Sequence, residues 1–148
     1  MIKNVMVATD GSEHGKKAVE FGADIASKNG ATVFLVHAAP EDGAVKEAKG
    51  LKEAEHMTLS PKKVYMEAVA GRIIYEARKD LYSHGVERVE SRVIVGSPAR
   101  DIANFAKEKG VDMIVIGHNG WVKGNELYGR KVARKISRFA DCTCVTVN

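Results

Sequence analysis

Short, nearly continuous apolar runs alternate along this chain with longer stretches whose apolar residues recur at helical spacing. Ile2 to Ala8, Ala31 to Ala38, the Val93-Ile94-Val95 end of Val86 to Val95, Val111 to Ile116, and Cys144 to Val147 are the runs. A run of four to eight apolar residues rich in β-branched side chains suits a strand buried on both faces. Between them, Ala18, Phe21, Gly22, Ile25 and Ala26 mark one helix, and Val64, Ala68, Ala70, Ile73, Ile74, Ala77 and Leu81 mark a second. Ala99, Ile102, Ala103, Phe105 and Ala106 mark a third, and Val132, Ala133, Ile136, Phe139 and Ala140 a fourth. Strand and helix therefore alternate from end to end. Right-handed crossovers turn that order into a doubly wound parallel sheet with helices on both faces, an α/β fold.

Punctuation agrees with the periodicity. Ser12, Ser60 and Ser97 stand where helix N-caps belong, with Pro61 and Pro98 at the first helical position after two of them. Asn29-Gly30, His84-Gly85 and Gly110 are helix stops. Between Pro40 and about Leu59, charged residues with Gly43 and Gly50 break any long stripe, so this segment reads as a loop with room for a short helix. The last helix reads from about Gly129, which puts Arg130 and Lys131 in its first turn.

A length of 148 residues suits one domain with a real core, here 1–148, and the net charge of +4 allows anionic partners without demanding them. No apolar run approaches the roughly 20 residues that cross a bilayer, and the first run is too short for a secretory signal, so the expectation is a cytoplasmic protein with no membrane partner. Cys142 and Cys144, two apart in a strand, share a face and do not readily bridge. No His/Cys cluster has zinc spacing. Arg134, Lys135 and Arg138 extend a basic helix face, but without aromatic platforms it reads as solvated, not as a direct nucleic-acid surface.

In such sheets ligands bind beyond the carboxyl ends of the strands, where the strand order reverses. The first and fourth strands flank that point, and their ends carry Thr9-Asp10-Gly11 and Gly117-His118-Asn119-Gly120. A strand followed by a glycine-rich loop and a helix can cradle an anion on backbone N–H groups. Asp10 has two readings: a carboxylate for a ribose hydroxyl or a phosphate-bound metal, or an Asx turn opening the first helix. His118 has no nucleophile or carboxylate partner in the pattern, and His37, inside an apolar strand, reads as a core histidine. Arg130 and Lys131 break a local rule, because the positive end of a helix dipole favours acids. Bound phosphate removes that conflict, and so does bending both side chains into solvent. No general acid/base pair is evident, and a dedicated enzyme is not expected.

Taken together, Val-Met-Val-Ala-Thr-Asp-Gly-Ser at the start, Leu-Val-His-Ala in the second strand, Val-Gly-Ser-Pro-Ala followed by Ile102, and Ile-Val-Ile-Gly-His-Asn-Gly resemble the universal stress protein family. The ending Ala140-Asp141-Cys142-Thr143-Cys144-Val145 is similar to that family's Ala-Pro-Cys-Pro-Val-Leu. The resemblance implies a five-stranded sheet in the order 3-2-1-4-5, a homodimer through the last strand, a stress-response role with protein partners, and, in many members, adenine nucleotide binding. It implies that Ala8, Thr9 and Asp10 line the base and ribose, that Ala38 offers its backbone to adenine, and that Gly117, His118 and Gly120 meet the ribose and phosphates. Gly129, Arg130, Lys131 and Val132 then stand on the phosphate side. There the chain departs from the family's Gly-x2-Gly-x9-Gly-Ser/Thr, since Arg130-Lys131 replace glycine and hydroxyl. Adenine or AMP can use the intact half; ATP, with magnesium, needs the two cations to replace what was lost. The competing expectation is a member that has lost nucleotide binding and acts through protein partners alone.

Overall fold

The computed structural model describes residues 1–55, 60–117 and 126–148. Five strands, β1 (Asn4–Ala8), β2 (Thr32–Pro40), β3 (Val89–Gly96), β4 (Met113–Gly117) and β5 (Thr143–Val147), form one parallel sheet in the order β3-β2-β1-β4-β5. The helices are α1 (Glu13–Asn29), α2 (Glu41–Glu55), α3 (Pro61–Val64), α4 (Gly71–Ser83), α5 (Pro98–Glu108) and α6 (Glu126–Phe139). A π-helical turn, Tyr65–Ala70, joins α3 to α4. The expected architecture and strand order are both present.

The apolar runs are continuous because each strand is covered twice. Along β1, Val5 and Val7 face α1 and α4, packing with Val19, Ala23, Leu81 and Val115. Met6 and Ala8 face α5 and α6, packing with Ile102, Phe105, Ile114 and Ile136. Alternation with period two sends neighbours to opposite cores, so both parities must be apolar.

Two readings need correction. Residues 41–55 form a fifteen-residue helix, longer than a loop with a short helix allows. Its stripe is built on small residues, Ala44 and Ala48, with Leu51 beside them, and it seats against Val64, Tyr65 and Ala70. Gly43 and Gly50 each cost such a helix about 1 kcal/mol, a penalty that tertiary packing can override. The second correction concerns α6, which begins at Glu126 and not near Gly129. Gly129 is an interior residue, and Arg130 and Lys131 occupy the second turn. The dipole's influence falls off within the first turn, so these cations violate no rule there.

The capping residues behave as read at two of three helices. Ser12 and Ser60 accept from Gly15 and Lys63 N–H groups. Ser97 occupies its cap position without a side-chain bond; instead its own N–H donates to Asp101 Oδ2 at 3.0 Å. Cys142 and Cys144 are free thiols partly buried against the α5–α6 face. Burial is the main cause that raises both thiol pKa values, that of Cys144 to about 11.

Candidate functional site

β1 ends against β2 at one rung, Thr9 N–H to Val36 C=O at 3.0 Å. From there the chain turns sharply into α1. Gly11, at φ 81°, supplies the left-handed step that an L side chain resists. Asp10 Oδ1 accepts from Ser12 N–H at 2.9 Å and from the Ser12 hydroxyl, whose oxygen in turn caps Gly15 N–H. Asx turn and helix cap are one chain of bonds.

That chain uses only one carboxylate oxygen. Asp10 Oδ2 is buried and has no hydrogen-bond partner among the described residues. Burial raises the Asp10 pKa above its ordinary 3.8, and the Ser12 bonds only partly oppose the rise. The turn-forming reading of Asp10 is met by Oδ1, while Oδ2 has no donor among the described residues.

Two glycines let α1 sit deep between the ends of β1 and β4. A Cβ on Gly15 would stand 2.5 Å from Thr9 Oγ1 and 2.9 Å from Asp10 Oδ1. One on Gly117 would stand 2.8 Å from the backbone carbon and oxygen of His14. The immediate demand for glycine at 117 is thus the main chain of α1, whatever else approaches it. Gly15 was not picked out from the sequence, because a helical-stripe reading assigns no meaning to a glycine in the first turn. His14 was also missed: its Nδ1 is buried without a partner among the described residues, beside the same crevice. Nothing in the local pattern marks it.

On the other side, β2 outruns β1. Val36 faces β1 with its backbone groups, so Ala38, two residues on, turns its N–H and C=O the same way, past the point where β1 has ended. Its other edge is taken by β3, where it stands opposite Ile94. Ala8, Thr9 and Ala38 are all buried. Between them lies His37, which is a core histidine as expected. Its Nδ1 is 2.8 Å from the Thr9 carbonyl and its Nε2 is 2.6 Å from the Tyr65 hydroxyl. A carbonyl only accepts, so Nδ1 carries the proton and Nε2 accepts from Tyr65. Burial lowers the His37 pKa, and burial first among several causes pushes that of Tyr65 up to about 12. Both shifts favour this neutral arrangement.

His118 and Gly120 lie outside the described residues. Gly129 and Arg130 lie within α6, Lys131 is exposed, and the Val132 side chain is buried in the α5–α6 core, so Val132 can meet a ligand only through its backbone. Arg134, Lys135 and Arg138 are exposed, as a solvated helix face should be.

A cleft of about 490 Å3 lies elsewhere, on the outer edge of β3, lined in part by Met66, Arg92, Asp101 and Phe105. Three of its charged groups are engaged within the fold: Arg92 pairs with Glu108 at 3.1 Å and lies 3.9 Å over the Phe105 ring, and Asp101 holds Ser97. Among the described residues the buried side-chain polar atoms without a partner are Asp10 Oδ2, His14 Nδ1 and Arg78 Nε; the first two cluster at the ends of β1 and β4, and there we locate the candidate site. Among the described residues no group of three or more His, Cys, Asp or Glu is arranged to hold a metal, and no helix is long and apolar enough to cross a membrane.

A doubly wound parallel sheet with a polar crevice at its switch point, the place where ligands bind in such folds, defines the class, an α/β fold. Comparison with known proteins narrows this. The profile of the universal stress protein family matches residues 1–148, and the chain belongs to that family. A universal stress protein of Mycobacterium tuberculosis is 29% identical over 118 residues, spanning 80% of this chain and 77% of that protein. The universal stress protein YxiE of Bacillus subtilis is 26% identical, with 99% of both chains covered. Among solved structures, a universal stress protein in complex with cAMP superposes with a TM-score of 0.70 at 25% identity, covering 99% of this chain and 97% of the other.

Proposed function

We propose that this protein is a cytoplasmic, dimeric stress-response regulator that binds an adenine nucleotide at the carboxyl ends of β1 and β4 and works by binding, not by turnover. The observation that carries the reading is Asp10 Oδ2, a buried carboxylate oxygen with no partner among the described residues. A ribose hydroxyl is a donor of the kind that oxygen lacks, and a hydrogen bond to a buried charge is a strong one. Ala38, with both backbone groups facing the space beyond β1, suits the paired donor and acceptor on an adenine edge. Gly117 and Gly120 would border the ribose and phosphates. The relative solved with cAMP supports an adenine nucleotide as the ligand class.

On the phosphate side we assign Gly129, Arg130, Lys131 and Val132, with His118 nearby. Replacing Arg130-Lys131 by Gly-Ser should then weaken ATP more than AMP, because an exposed cation such as Lys131 acts on charge and is worth under about 1 kcal/mol. Magnesium enters this reading only with ATP, whose phosphates carry the charge that recruits it. Dimers would form through β5, which has β4 on one side and, among the described residues, no strand on the other.

The second reading, a member acting only through protein partners, is favoured by the placement of Arg130 and Lys131 in the second turn of α6, away from the helix N–H groups that would greet a phosphate. Titration calorimetry with AMP and ATP, with and without magnesium, separates the two. Saturable heat with AMP supports nucleotide binding; no heat with either ligand at millimolar concentration overturns it.

A further inference from the structure

The Thr9–Ser12 turn is held from outside by the arm that runs from Ser60 to Ser83. That arm touches it twice. Tyr65 reaches it through His37, whose ring is bonded at one end to the Tyr65 hydroxyl and at the other to the Thr9 carbonyl. Ile73 closes on Gly11, so that a Cβ there would stand 3.1 Å from Ile73 Cγ1. Both contacts lie within one step of Asp10 along the chain.

Residues eight apart on a regular α-helix point about 80° away from each other, at about 100° per residue. Tyr65 and Ile73 should therefore not address the same turn. Between them lies the π-helical turn, in which Gly71 N–H reaches back five residues to Met66 C=O. Such a turn absorbs one extra residue, so the pair behaves as if seven apart, an offset of only about 20°. The π turn brings Tyr65 and Ile73 onto one face.

We propose that Tyr65 is a positioning residue of the nucleotide site: through His37 it fixes the Thr9 carbonyl, and so aims Asp10 Oδ2, with the π turn setting its register against Ile73. The proposal rests on the nucleotide reading above. Neutral His37, with its proton on Nδ1, is the form that can bridge a phenol and a carbonyl at once. Without the phenol, the ring loses its buried donor, and the turn keeps only the Ile73 contact.

Tyr65→Phe removes the hydroxyl alone. AMP titration of the full chain should show affinity falling about five- to tenfold, with the far-ultraviolet spectrum unchanged. A spectroscopic signature separates positioning from mere packing. In the unaltered protein, the His37 Nδ1–H resonance should shift when AMP is added; no shift overturns the proposal even where Y65F does not fold. The register claim has its own variants. Deleting Glu67, which is exposed, should turn the π turn into an α turn, keep Tyr65 and Ile73 aligned and hold AMP affinity within about twofold. Inserting an alanine after Glu67 should misalign them and lose affinity as Y65F does. The reverse result for these two overturns the alignment. If the unaltered protein takes up no AMP, the nucleotide reading falls, and this one with it; if it binds AMP and Y65F binds as tightly, the positioning role alone falls.

Discussion

Asp10→Asn should lower nucleotide affinity and raise stability at once, because the two oxygens of Asp10 serve different masters. Oδ1 accepts from Ser12, and an asparagine carbonyl can do the same, so the turn and the α1 cap survive. Oδ2 is buried with no partner among the described residues, and its replacement by an amide NH2 converts an acceptor into a donor. A ribose hydroxyl that donates to the carboxylate loses a charge-assisted hydrogen bond of about 1.5–3 kcal/mol, roughly a 10- to 150-fold rise in Kd for AMP. Stability moves the other way. The folded protein holds the Asp10 proton more tightly than the unfolded chain, since burial raises the carboxyl above 3.8. Ionisation therefore penalises the folded state. The penalty is fully present above the folded pKa and vanishes below pH 3.8. The asparagine variant escapes it, so its urea midpoint at pH 7 should exceed that of the unaltered protein, and the gap should close as pH falls toward 3.8. Calorimetry with AMP and urea melts at several pH values read both effects. A variant that binds AMP normally would refute the role given to Oδ2; one that is less stable at pH 7 would refute the account of its burial.

Other substitutions test neighbouring parts of the structure. Gly117→Ala forces a methyl against the His14 backbone and should cost about 1–3 kcal/mol in urea unfolding, a loss that needs no ligand to appear. Asp112 shows the opposite pH behaviour from Asp10: bonds from the Asn4 and Lys3 N–H groups hold its pKa below 3.8, so it stabilises the fold above pH 3.8 and loses that effect as pH falls through its lower folded value. Asp112→Asn should abolish that part of the acid sensitivity, as seen in melts between pH 2 and 5. Cys144, with its pKa pushed up to about 11, should react with a thiol reagent at pH 8 roughly two orders of magnitude more slowly in the native protein than in urea.

Most of the sheet was legible because strands buried on both faces leave unbroken apolar runs, and Ser12, Gly30, Ser60-Pro61 and Pro98 punctuate the helices. What escaped is equally specific. α2 was unreadable because its buried stripe is Ala44 and Ala48, residues too small to stand out among lysines and glutamates. The start of α6 is misplaced at Gly129 because a glycine suggests a boundary, whereas the helix already runs from Glu126. At the site, Asp10 and Gly117 could be named from their strand-end positions. The division of labour between the Asp10 oxygens, the close approach behind Gly15, the burial of the His14 nitrogen and the Tyr65–His37–Thr9 bridge depend on contacts between distant segments, which periodicity does not encode. The π turn belongs with them, since a one-residue insertion leaves no mark on composition.

The central claim is a location as much as an activity. A crystal structure of the protein soaked or grown with AMP tests it most directly. The ribose should lie within hydrogen-bond distance of Asp10 Oδ2 and the adenine against the backbone of Ala38. AMP bound in the β3-edge cleft, or at any place that leaves Asp10 Oδ2 without a donor, would contradict it.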